Sequence, residues 1–112
     1  MGADALVLAA DLFLLREKER VAQMALRRKL PSASPFSGYV EVGGLLSYGI
    51  DATFMNRKAA QYVTAIFGGA KAGDLPIQQP TEVNLVINRG TANALRLTIP
   101  QRLLLQADRV ID

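Results

Sequence analysis

Hydrophobic and polar positions follow two different periods along this chain, and the changes of period mark out its elements. Ala5-Leu6-Val7-Leu8-Ala9 is a short unbroken apolar run, the pattern of a strand buried on both faces. Asp11 follows at its carboxyl end. Arg16 to Lys29 has no glycine or proline and many strong helix formers, which predicts a helix. Val21, Met24 and Ala25 share one face of it, with Leu14 two turns back, so the helix is amphipathic. Leu30-Pro31 ends it, because a residue before proline resists the helical conformation. Strand, helix, proline and then Ser32-Ala33-Ser34 read as a β-α-β unit, the building block of parallel sheets.

Gly43-Gly44 predicts a turn feeding a short strand that runs through Tyr48-Gly49, with Asp51 just past it. A second helix is expected over about Ala52 to Phe67. There Met55, Ala59, Tyr62 and Ile66 recur at helical spacing, Val63 lies beside them, and Gly68-Gly69 stops the helix. Ala70 to Thr81 holds Gly73, Pro76 and Pro80 and reads as an extended crossover without regular structure. Val83 to Asn88 is a strand rich in β-branched residues. Thr91 to Leu95 suits a short helix capped by Thr91 or a neighbour. Pro100 opens a last helix, with Leu103, Ala107 and Val110 as its buried face. The fold class that emerges is α/β, built from β-α-β units on a parallel sheet.

Length bounds this picture: 112 residues suit one domain and make two independent cores unexpected. Half the residues are hydrophobic, which is rich for so small a domain. That excess reads either as apolar surface meant for a partner or as an ordinary buried sheet. The 13 basic and 10 acidic residues leave a net charge of +3, spread along the chain. The densest cluster, Arg27-Arg28-Lys29, falls at a helix end, where cations complement the dipole. Nucleic-acid binding calls instead for a basic stripe with stacking aromatics, so no nucleic-acid partner is expected.

There is no cysteine and no histidine. Disulfides, thiolate nucleophiles, imidazole bases and the usual zinc ligands are therefore removed, and no metal or cofactor is expected. Carboxylates, lysines and hydroxyls remain, but no nucleophile–base pair stands out, and a non-enzymatic role is expected. Met1-Gly2-Ala3-Asp4 lacks the basic start of a signal peptide, and the apolar run after it is too short to span a membrane.

Asp11 and Asp51 each stand immediately after an expected strand, on the way into a helix. Ligands of open parallel sheets bind at the carboxyl ends of strands. Helix-capping aspartates occupy the same place, so both readings stand for each residue.

The segment Glu41-Val42-Gly43-Gly44-Leu45-Leu46-Ser47-Tyr48-Gly49-Ile50-Asp51 resembles part of the ABC-transporter substrate-binding family that includes tryptophan and tyrosine binders. Ile66-Phe67-Gly68-Gly69-Ala70-Lys71 through Leu75-Pro76 looks like the family's crossover, in which a helix ends in Gly-Ala-Lys and continues to Leu-Pro. Leu85-Val86-Ile87-Asn88, Leu97-Thr98-Ile99-Pro100 and Ala107 to Ile111 are similar to its C-terminus. Gly2 through Pro31 is similar to the strand and helix that precede these. The order and spacing hold over nearly the whole chain.

The resemblance implies a type I periplasmic binding fold, with two α/β lobes joined by a hinge, of which this chain is the C-terminal portion. It implies residues 1–42 in the second lobe, a crossing at 43–51, and 52–112 in the first lobe. It implies capture of a small solute such as an amino acid, delivery to an ABC permease, and a periplasmic location. By the same resemblance Asp11 and Asp51 occupy acidic places that hold a ligand's ammonium group. Phe36, Ser37 and Tyr48 lie on neighbouring loop positions. Leu12 is apolar where relatives often carry a polar residue, which points away from an aromatic amino acid. Two other roles fit the same fold: a regulatory effector-binding domain, and a non-binding fragment that self-associates. Exposed sheet edges and apolar surface make a homodimer the expected state.

Overall fold

The computed structural model describes residues 2–112. β1 (Leu6–Val7) is followed by α1 (Leu12–Arg16), α2 (Lys18–Arg27) and β2 (Ser32–Ser34). Next come α3 (Ser37–Glu41), β3 (Leu46–Ile50) and α4 (Ala52–Phe67), then a single 3-10 turn at Ala72–Asp74. β4 (Val83–Asn88), α5 (Arg89–Ala94), α6 (Gln101–Gln106) and β5 (Arg109–Ile111) complete the order. The strands form one five-stranded sheet in sequence order. β1 and β2, β2 and β3, and β4 and β5 pair in parallel, so the α/β class and the β-α-β reading hold.

The chain packs as two compact units, residues 1–49 with 84–112, and residues 50–83. Residues 84–112 pack with the first unit, and residues 50–83 by themselves. The reason is the sheet: β5 pairs with β4, and Asn88 donates its N–H to the carbonyl of Leu45, 2.9 Å away, which draws 84–112 back to the first unit.

In the first unit Leu8, Ala22 and Tyr39 form a buried cluster, with Leu6, Val21 and Val42 packed against it. Tyr39 is fully buried and its hydroxyl donates to Ser32 Oγ at 2.8 Å. Gly44 is required beneath it, because a Cβ at that position would overlap the Tyr39 ring. Two long-range polar ties close the unit: Asn88 Nδ2 donates to the Val40 carbonyl and Thr91 Oγ1 to that of Gly43, each at 3.1 Å.

Burial pushes the Tyr39 hydroxyl above the ordinary tyrosine value of 10.0, with the Ser32 hydrogen bond offsetting part of the rise. The folded chain thus holds this proton more tightly than the unfolded one does. The resulting stability is whole below the unfolded value and is lost as pH climbs towards the folded one. Urea melts at about pH 9 and about pH 11 should show a drop in midpoint that is smaller in Tyr39→Phe. An equal drop in both proteins would exclude Tyr39 as its source.

Several elements differ from the sequence pattern. The helix expected from Arg16 to Lys29 begins earlier, at Leu12, and breaks at Glu17 into α1 and α2. Ala22 and Ala25 are its buried residues, while Met24 is exposed. β1 is covered on one side only: Leu6 is half-buried against the core but Val7 is 78% exposed. α3 was not anticipated. The last helix stops at Gln106, and Arg109–Ile111 instead form a strand along the free edge of β4. Asp108 Oδ2 accepts from Leu85 N at 2.7 Å and Arg109 pairs with Glu41 at 2.7 Å, which fixes that strand in place.

The second unit consists of α4 and the crossover that follows it. Tyr62 donates its hydroxyl to the Pro76 carbonyl, fastening the crossover to the helix. No residue of α4 is buried, and its apolar stripe leaves Met55, Val63 and Ile66 exposed.

Candidate functional site

Because β1, β2 and β3 run parallel, with Leu6 opposite Ser32 and Ser34 opposite Ser47, their carboxyl ends share one edge of the sheet. That edge carries four of the five residues picked out from the sequence. Asp11 leads from β1 into α1 and is exposed; its Oδ1 accepts from Phe13 N at 2.8 Å and Leu14 N at 3.1 Å. Phe36 follows β2, half-buried, and donates its N–H to Ser34 Oγ at 3.1 Å. Ser37 is exposed as the first residue of α3. Tyr48 lies within β3 and is 65% exposed, so it is no core residue.

Asp51 belongs to the second unit. It caps α4, its Oδ1 accepting from Thr53 N at 2.8 Å. The capping reading is thus met at both aspartates. It does not exhaust them: a carboxylate has about four lone-pair sites, and in each residue only Oδ1 is engaged by the described residues. Each side chain can hold its helix and still accept a bond from a ligand ammonium or hydroxyl.

Sequence reasoning missed a groove of about 190 Å³ within the second unit, lined by Phe54, Met55, Lys58, Tyr62, Gln78 and Pro80 among others. Lys58 Nζ sits 5.5 Å from the centre of the Phe54 ring, within cation–π range. Phe54, Lys58 and Tyr62 follow one another at i, i+4 and i+8, which was the available signal. Among the described residues no group of three His, Cys, Asp or Glu side chains is placed to hold a metal. No helix among the described residues is long and apolar enough to cross a membrane.

Residues 2–111 match the family described as ABC transporter substrate binding protein. A tyrosine-binding protein of Clostridioides difficile is 28% identical over 92 residues, covering 82% of this chain and 27% of that protein. Among solved structures, a conserved domain protein from Vibrio cholerae superimposes with a TM-score of 0.89 at 30% identity, over 96% of this chain and 36% of the other. A Streptococcus pneumoniae ABC domain in complex with L-Trp does so with a TM-score of 0.88 at 29% identity, over 97% and 38%. A ligand-free, open substrate-binding protein with adhesive properties from Clostridium difficile, at 22% identity and a TM-score of 0.65, shares the fold. The chain spans about a third of the length of these relatives. It belongs to the family of ABC transporter substrate binding proteins.

Proposed function

We propose that this chain supplies part of the solute site of an ABC importer's binding protein, and that the solute is an amino acid. The observation that carries the reading is the family match over residues 2–111, joined to the strand-end edge bearing Asp11, Phe36, Ser37 and Tyr48. The relatives named for tyrosine and solved with L-Trp favour an amino acid as solute. Asp11 takes the ligand's ammonium group, and Phe36, Ser37 and Tyr48 contact the rest of it; Asp51, in the second unit, is a solute contact of that unit by itself. Residues 1–49 and 84–112 belong to one lobe of the binding fold and 50–83 to the other. The two compact units support this division. An ABC permease receives the solute, and the protein works outside the inner membrane.

The test is a chimera in which residues 2–111 replace the matching part of the Streptococcus relative. Calorimetric titration with the common amino acids should give saturable binding for at least one of them. A chimera that melts cooperatively yet binds none would overturn the reading.

One observation favours a second property, self-association. α4 exposes an apolar stripe that ordinary helices of this kind bury. Sedimentation equilibrium of the 112-residue chain is expected to show a homodimer at micromolar concentration, and a clean monomer there would exclude it.

A further inference from the structure

Gly49 is the last residue of the first unit before the chain passes, at Ile50, into the second. Its φ is not positive, so backbone freedom does not explain the glycine. Space does. A Cβ at Gly49 would overlap the carbonyl oxygen of Pro35, and would lie 2.8 Å from its carbonyl carbon and 3.0 Å from its Cα.

Pro35 cannot easily yield. Its ring fixes φ. Ser34 before it is buried in β2, opposite Ser47 of β3. Phe36 after it is tied back by its N–H to Ser34 Oγ, and the Phe36 carbonyl accepts from Tyr39 N at 3.1 Å to start α3. The turn carrying Phe36 and Ser37 is therefore seated directly on the β3 backbone, at the residue where the chain changes units.

We propose that Gly49 and Pro35 form a positioning contact. It holds the Phe36–Ser37 turn at the carboxyl edge of the sheet and fixes the point from which the chain departs into the second unit. Its consequence for solute binding rests on the function proposed above; the seat itself does not.

The first arm of the test uses the 112-residue chain without ligand. Gly49→Ala should displace the amide resonances of Phe36 and Ser37 and speed exchange of the Phe36 N–H by about tenfold, with α2 keeping its protection. Adding Pro35→Gly frees the turn to swing away. The double variant should return the Tyr48 and Ile50 amides to their parent positions while leaving those of Phe36 and Ser37 displaced. Contact that serves stability alone would restore all four or none, and that result overturns the proposal. So do unmoved Phe36 and Ser37 signals in Gly49→Ala.

Should Gly49→Ala not fold, Pro35→Gly alone decides. Faster exchange at Phe36 in an intact fold supports the seat, and unchanged exchange overturns it. In a solute-binding chimera, Gly49→Ala should weaken affinity by about tenfold, mainly through faster dissociation. A chimera that binds nothing sinks the solute reading, while the amide result still decides the seat.

Discussion

Tyr39→Ala is expected to lower the unfolding free energy by about 3–5 kcal/mol, the cost of deleting a large buried aromatic from a packed core. The ring is fully buried among Leu8 and Ala22 and lies over Gly44, whose lack of a side chain makes room for it. No neighbouring group is placed to refill the space from Gly44, and the loss of the hydroxyl leaves Ser32 Oγ without its donor. A domain of this size has about 5–15 kcal/mol in total, so the variant should be largely unfolded well below the parent's melting temperature. Tyr39→Phe keeps the ring and forfeits only the hydroxyl bond, at about 1–3 kcal/mol. Denaturant melts of the pair separate packing from hydrogen bonding. Equal losses in the two variants would show that the ring is not the main contribution.

The second large effect concerns ligand affinity. In a chimera that binds an amino acid, Asp51→Asn should raise the dissociation constant roughly ten- to a hundredfold. This corresponds to about 1.5–3 kcal/mol for a hydrogen bond to a charged group. Asparagine caps helices about as well as aspartate, so α4 keeps the bond from Thr53 N and stability should hardly change. Asp51→Ala should lose both, with about 0.5–2 kcal/mol of stability forfeited at the cap. Unchanged affinity in Asp51→Asn would leave Asp51 a cap and nothing more.

The parts of this fold legible in the sequence were those whose signal is local. Pro31 and Gly68-Gly69 marked helix ends, β-branched residues marked β4, and Asp51 marked the start of α4 at a strand end. What escaped depended on distant partners. Val110 and Ile111 satisfy a helical face and a strand equally well. The free edge of β4, with Asp108 and Arg109 bonded to Leu85 and Glu41, decides for strand. α3 escaped because Phe36 and Gly38 give no helical signature, and the helix exists because Tyr39 and Val40 are pulled into the core. The candidate site was legible as a set of strand ends. The support of its Phe36–Ser37 turn was not, since the contact between Pro35 and Gly49 joins the residue that follows β2 to one within β3.

The bond from Asn88 to Leu45 has a consequence for how the chain tolerates change. β3 and β4 are neighbours, and the end of β4 lies beside the start of β3. The second unit is thus the connection between two neighbouring strands of the first. A connection of that kind is cheap to lengthen, because closure entropy grows only as the logarithm of its length. Residues 50–83 are free to be exchanged or remodelled as a cassette, while the sheet that hosts them keeps its register.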